Sequence, residues 1–203
     1  MPPAQVLPNG VDLDYFQPNF GPRQPSTIVL TGKMSYHANV TAAIHLLDDI
    51  MPLVWAEMPE CRVVIAGSAP PRPVQALAET HRGRVSVTGF VADLRPYLQQ
   101  ATVAVAPIAY GAGIQNKVLE ALASATPMIA SPQAVSALSV RPGVELLVAD
   151  TLAAFAQAIV RLLREPELGQ RLGAAGYKYV TEHHHWPAIT GQLEATYDLL
   201  RAS

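Results

Sequence analysis

At 203 residues, 50% of them hydrophobic, the chain has enough apolar material for one sizeable core or two small ones. A formal net charge of -2 gives no basic field and argues against nucleic acid as a partner, while one cysteine, Cys61, excludes an intrachain disulfide and a cysteine-cluster metal site. No run reaches the ~18 uninterrupted apolar residues of a membrane span, and MPPAQVLPNG lacks the basic and apolar regions of a signal peptide, so the expectation is a soluble, cytoplasmic protein.

Residues 1–26 carry prolines at 2, 3, 8, 18, 22 and 25, with Asn9-Gly10 and Phe20-Gly21 between them, the composition of an extended linker rather than a core. Regular patterning starts at Thr27. TIVLTG reads as a strand, and Asn39 supplies an N-cap for an amphipathic helix to Met58 that Pro52 kinks or restarts. RVVIAG, a helix from Pro73 to Thr80, RVSVTGF and a short helix in VADLRPYLQQA, with Asp93 as its cap, come next. Thr102 to Ala106 is an apolar β-branched run, Pro107 to Gly113 a Pro/Gly-rich loop, Gln115 to Ala125 a helix, and Met128 opens another apolar run. A loop from Pro132 to Val144 leads to ELLVAD, and from Thr151 the pattern is helical with breaks at Pro166, Gly173, Gly176 and Pro187. Six short apolar strands with helices between them predict an α/β fold with a parallel sheet of about six strands covered on both faces. Ligands of such sheets bind beyond the carboxyl ends of the strands.

The candidates for chemistry concentrate at those ends. On the helix after the loop, Val118, Leu119 and Leu122 share one face, and Asn116, Lys117, Glu120 and Ser124 the opposite one. The small residues Gly111, Ala112 and Gly113 let a ligand approach backbone, and a helix N-terminus there favours an anion. Lys117 suits a phosphate and Glu120 suits sugar hydroxyls. The residues alone leave a second account open, a solvated face with a Lys117–Glu120 ion pair worth a few tenths of a kcal/mol. Gly32-Lys33 sets another cation at the mouth of the same cleft. Gly111-x-Gly113 is no dinucleotide fingerprint, because the third glycine is Asn116 and the match follows the fourth strand. His183, His184 and His185, consecutive on a helix, point about 100° apart and cannot close on one metal. Burial accounts for Cys61, and His37 fits a turn as well as a ligand.

VLPNGVDLDYFQP (6–18), LTGKMSYHANV (30–40), VTGFVADLRPYL (87–98), GIQNKVLEALASATPMIAS (113–131) and Trp186 before a final helix, in this order, resemble the retaining GT-B glycosyltransferases of family four. Within that family the chain is most similar to sugar transferases associated with exopolysaccharide export. The resemblance implies a Rossmann-like domain at 27–187, the C-terminal, nucleotide-sugar-binding half of the fold. It also implies an interdomain linker remnant at 1–26 and a helix at 188–203 crossing back to an acceptor domain not contained in the chain. It implies diphosphate binding by Gly32, Lys33, Gly113, Ile114, Gln115, Asn116 and Lys117, ribose binding by Glu120, and Phe90 and Val91 beside the base.

Two positions depart from the family pattern: Ala112 stands where many members carry a second glutamate, and Ala38-Asn39 where a second basic residue is usual. Catalytic residues are unassigned, and no metal or cofactor is expected. The implied partners are a nucleotide-sugar donor and a sugar or lipid-linked acceptor brought by the other half. Peripheral membrane association of the full-length enzyme is a further expectation. Two other readings stay open, a non-catalytic nucleotide or phosphosugar binding module and a GT-B-like epimerase.

Overall fold

The computed structural model describes residues 7–19, 21–111 and 113–201. Expectations placed on residues 1–6, Phe20, Ala112, Ala202 and Ser203 lie outside the described residues.

Six parallel strands form one sheet in the order β3-β2-β1-β4-β5-β6. They are β1 Gln24–Thr31, β2 Arg62–Ala66, β3 Val85–Val87, β4 Ala101–Ala106, β5 Met128–Ala130 and β6 Leu147–Val148. Consecutive residues such as Ile28, Val29 and Leu30 are all buried, because helices cover both faces and leave no solvent side to demand alternation. β1 begins three residues before TIVLTG. Pro25 lies in it at a register shift against β4, and Ser26 adopts φ 50, so the missing proline N–H falls at a bulge instead of in the ladder.

Between β1 and β2 the chain runs through α1 His37–His45, a π-helical turn Leu46–Ile50 and α2 Met51–Glu57. Pro52 restarts the helix, as expected, in the first turn of α2. A proline ring collides with the carbonyl four residues back, and the wider π turn at that place relieves the collision. Asn39 is not the N-cap: Tyr36 holds that position, and Asn39 is buried inside the first turn of α1.

The remaining helices are α3 Arg72–Thr80, α4 Arg95–Gln100, α5 Asn116–Ala123, α6 Pro132–Val135, α7 Leu152–Arg164, α8 Pro166–His183 and α9 Trp186–Arg201. Helices α1, α2, α3 and α7 cover one face of the sheet, and α4, α5 and α8 the other. Leu94, not Asp93, sits at the N-cap of α4, although Asp93 Oδ1 still accepts the Arg95 N–H at 2.8 Å. The short α6 occupies the front of the expected 132–144 loop, with Ser131 Oγ accepting the Ala134 N–H at 3.3 Å. α8 is unbroken through Gly173 and Gly176. Those glycines are close-packing positions: a Cβ on Gly173 would stand 2.4 Å from the Ala125 carbonyl oxygen, and one on Gly176 2.6 Å from Leu122 Cδ2.

The described part of the N-terminal segment is extended, yet it packs on the domain. Val11 and Leu13 are buried, and the Val11 N–H donates to the His184 carbonyl at 2.7 Å. At the amino end of the sheet the Arg23 guanidinium donates to the carbonyls of Leu98, Gln99, Ala101 and Ala125 at 2.8–3.2 Å. It thereby satisfies carbonyls that the ends of α4 and α5 leave without helical partners.

Candidate functional site

Strand order reverses direction between β1 and β4, so the turns leaving these two strands diverge and open a crevice at their carboxyl ends. A cleft of about 500 Å³ lies there. Its lining comes from the turns after β1 (Gly32, Lys33, Tyr36), β2 (Gly67, Ser68) and β3 (Phe90, Val91, Leu94), from Asn39 of α1, and from Ile114 through Lys117 and Glu120. Every residue to which the resemblance assigns a binding role lines this cleft except Gly113, which is exposed nearby at φ 80; Gly111 is not part of the lining either. Gly67 and Ser68 belong to one of the strand ends at which the sequence places a ligand, whereas Tyr36, Leu94 and the part played by Asn39 were not foreseen. The start of α1 carried a signal for the part of Asn39, a polar residue between Ala38 and Val40.

Backbone fixes the floor. The Gly32 N–H donates to the Ala66 carbonyl at 3.1 Å, the Met34 N–H donates to the Ser68 carbonyl at 2.8 Å, and a Cβ on Gly67 would overlap the Gly32 carbonyl oxygen at 1.8 Å. Only glycine lets the two turns approach so closely.

The loop after β4 is held from both sides. Ser131 Oγ donates to the Ile108 carbonyl at 2.6 Å and Gln133 Nε2 to the Gly111 carbonyl at 2.5 Å. From α1, His37 Nδ1 and Thr41 Oγ1 both engage the Tyr110 hydroxyl. His37, read as a turn residue or a ligand, therefore fastens this loop. Beyond it α5 starts at Asn116, beside the cleft, with no side-chain cap; the Val118 N–H donates to the Gln115 carbonyl at 2.8 Å, and the Asn116 and Lys117 N–H groups have no partner within the helix.

The two charged residues of α5, Lys117 and Glu120, are half-buried and feel each other's charge but make no direct ion-pair contact. Lys117 Nζ donates instead to Asn39 Oδ1 at 2.8 Å and Gln115 Oε1 at 3.2 Å, while Asn39 Nδ2 donates to the Lys33 carbonyl at 2.9 Å. The solvated-face account, with its Lys117–Glu120 ion pair, is thus not what the chain adopts. Burial holds the Lys117 ammonium below the ordinary lysine range, with Glu120 opposing the shift. Burial likewise pushes the Glu120 carboxyl above the ordinary carboxylate range, with Lys117 opposing. Ser124, expected on the polar face, is fully buried and donates to the Glu120 carbonyl at 2.9 Å. Lys33 and Phe90 are exposed, Phe90 to 80%.

The cleft thus offers a held ammonium, an exposed lysine, helix N–H groups, a carboxylate and an aromatic ring around one crevice. This inventory matches a ligand with anionic, hydroxylic and aromatic parts. The profile of the family "Glycosyl transferases group 1" matches residues 25–165. The chain belongs to the group 1 glycosyl transferases.

As a group 1 glycosyl transferase it corresponds to the C-terminal half of the GT-B architecture. It is 28% identical over 212 residues to the phosphatidyl-myo-inositol mannosyltransferase of Mycobacterium leprae (strain TN), covering 98% of this chain and 54% of that protein. Among solved structures it is similar to a sucrose-phosphate synthase from Thermosynechococcus elongatus, at 26% identity and a TM-score of 0.81, covering 98% of this chain and 53% of that one. The fold is also that of Anabaena Alr3699/HepE, solved in complex with UDP and glucose, at 13% identity and a TM-score of 0.77, covering 96% and 56%. The chain spans about half the length of these relatives.

Proposed function

We propose that this group 1 chain binds a nucleoside diphosphate sugar in the β1/β4 cleft and acts as the donor half of a retaining glycosyl transfer. One observation carries the reading: Lys117 and Glu120, a turn apart on α5, are half-buried in one cleft yet left unpaired with each other. Opposite charges kept separate at a helix N-terminus suit a ligand that brings phosphates for one and hydroxyls for the other. Lys33, Lys117 and the α5 N–H groups would take the diphosphate, with Gly32, Gly113, Ile114, Gln115 and Asn116 forming the turns around it. Glu120 would take the ribose hydroxyls, and Phe90 and Val91 would border the base.

In the transfer step the same cations and N–H groups would stabilise the charge that develops on the departing diphosphate. The acceptor would be brought by the other half of the GT-B fold, because reaction needs the acceptor oxygen within about 3 to 3.5 Å of the anomeric carbon. On this reading, residues 7–19 and α9 are the connections between halves, the sugar goes into a polysaccharide or glycoconjugate, and synthesis is cytoplasmic, with the whole enzyme resting peripherally on a membrane. Among the described residues no helix is long and apolar enough to cross one.

A thermal-shift screen with UDP, GDP, ADP and their sugars tests the reading. A ligand at one hundred times its dissociation constant adds about 2.7 kcal/mol of stability. Stabilisation by a diphosphate, and less by its nucleoside, is the expected result. No response to any diphosphate would reject it.

A further inference from the structure

We infer that Asn39 is the positioning residue that keeps the Lys117 ammonium away from Glu120, so that the two charges stay separately available to a ligand. The inference rests on the donor-binding reading and adds to it the device that keeps the site open. Lysine and glutamate three apart on a helix are neighbours, and in a half-buried setting their attraction is stronger than on an open surface. The pair nonetheless does not form. Lys117 Nζ is drawn toward the N-terminus of α5 by Asn39 Oδ1 at 2.8 Å and Gln115 Oε1 at 3.2 Å.

Both holders are fixed. Asn39 is 5% exposed and Gln115 8%, and Asn39 is locked in orientation because its Nδ2 donates to the Lys33 carbonyl at 2.9 Å. That bond sets which end of the amide faces the ammonium: the oxygen must. An ammonium has three N–H donors, and two amide oxygens leave one for a ligand. The amides are neutral, so they orient the cation without cancelling its charge. A carboxylate at position 39 would do the first and undo the second. Burial, not mutual pairing, dominates the titration of both α5 groups, which agrees with their separation.

The test compares wild type with Asn39→Ala, Asn39→Asp, Lys117→Met and the double variant Asn39→Ala/Lys117→Met, all first checked for a cooperative melt. One readout needs no nucleotide: the titration of Glu120, followed by its carboxyl-carbon chemical shift. Release of Lys117 onto Glu120 lowers the Glu120 midpoint in Asn39→Ala, and removing the lysine in the double variant raises it again. In Asn39→Asp it does not fall and shifts upward instead, because the new carboxylate keeps the ammonium and offsets the lowering that Lys117 exerts on Glu120. The second readout is affinity for UDP and uridine, or for GDP and guanosine if GDP is the diphosphate that stabilises the wild type.

Lys117→Met and Asn39→Asp weaken the diphosphate only. Asn39→Ala weakens the nucleoside as well, by about tenfold, the size of one lost hydrogen bond to a charged group, and the double variant restores nucleoside affinity. A merely structural asparagine gives no such recovery on loss of a second side chain. An unmoved Glu120 midpoint in Asn39→Ala, or no recovery in the double variant, overturns the inference. Should Asn39→Ala not fold, a lowered Glu120 midpoint in Asn39→Asp overturns it instead. A wild type that binds no diphosphate rejects the donor reading, while the Glu120 titration still decides the role of Asn39.

Discussion

The Tyr179 hydroxyl donates to Nε2 of His184, a histidine 3% exposed, at 3.1 Å, in the tautomer that the bond on the other ring nitrogen fixes, because a carbonyl there can only accept. His184 Nδ1 donates in turn to the Asn9 carbonyl at 2.8 Å, and the Tyr179 oxygen accepts the Ser139 N–H at 3.1 Å. Every group is satisfied while the imidazole is neutral. A second ring proton would face a hydroxyl with no acceptor left for its own hydrogen.

Burial holds His184 below the ordinary histidine range of about 6.5. Between the folded and unfolded values the unfolded chain binds more protons, so stability rises with pH there and is lost as pH falls through that window. The expected result is a urea midpoint that drops on acidification below about pH 6.5, with a smaller drop in His184→Ala. That variant should also lose about 2 to 4 kcal/mol at neutral pH. Equal slopes for the two proteins would show that other groups carry the acid sensitivity.

Replacing Arg23 with Ala should cost about 2 to 4 kcal/mol, because several carbonyls at the ends of α4 and α5 lose their donor together. Arg23→Lys should recover little of it, since an ammonium cannot fan out to the same set. Arg23 lies at the end of the sheet opposite the cleft, so nucleotide affinity stays unchanged in whatever fraction remains folded. Denaturant melts combined with calorimetry check both halves of this expectation.

Glu120→Ala should weaken both nucleoside and nucleoside diphosphate by about 1 to 3 kcal/mol and leave the fold intact. The carboxylate is the form that accepts hydroxyls, and burial raises its titration point. Nucleoside affinity should therefore decline on acidification through that raised value, and this pH dependence should vanish in Glu120→Ala. Calorimetry across pH settles it.

Lys33→Ala should weaken diphosphate and spare nucleoside, and its effect should shrink as salt rises, because the side chain is exposed and screened. The corresponding loss in Lys117→Met should resist salt better, since the ammonium is half-buried. Titrations at about 0.05 M and 0.5 M salt separate the two lysines. Identical salt slopes would count against different phosphate environments.

Gly173→Ala and Gly191→Ala make opposite tests of the same substitution. Alanine favours helix by about 1 kcal/mol over glycine. A Cβ on Gly191 meets nothing within 4 Å, so α9 gains that amount. On Gly173 it meets the Ala125 carbonyl oxygen at 2.4 Å, and the overlap should outweigh propensity for a net loss of about 1 to 3 kcal/mol. Thermal melts of the two variants, shifted in opposite directions, are the expected outcome.

These glycines also show where sequence reasoning stops. The strands were legible because burial on both faces leaves unbroken apolar runs, and Lys33, Lys117 and Glu120 were legible because strand ends bind ligands. Gly173 and Gly176 were read as breaks, since propensity counts only the local chain, whereas their use is the approach of α8 to α5 and to Ala125. Asn39 was read as a cap from its residue type, but its partners are Lys33 and Lys117, the second far away in sequence. Tyr110 carries no pattern that would link it to His37. Nor does Val11, buried beside His184, stand out in a proline-rich segment.

The place of β1 beside β4 has a consequence for hydrogen exchange. Lys33 leaves the first strand and Lys117 follows the fourth, and β1 pairs with β2 on one side and β4 on the other. No fragment that lacks either half of the sheet contains a whole cleft. A bound nucleotide must then slow exchange of strand amides across β1, β2 and β4 alike, by the factor through which it stabilises the entire domain.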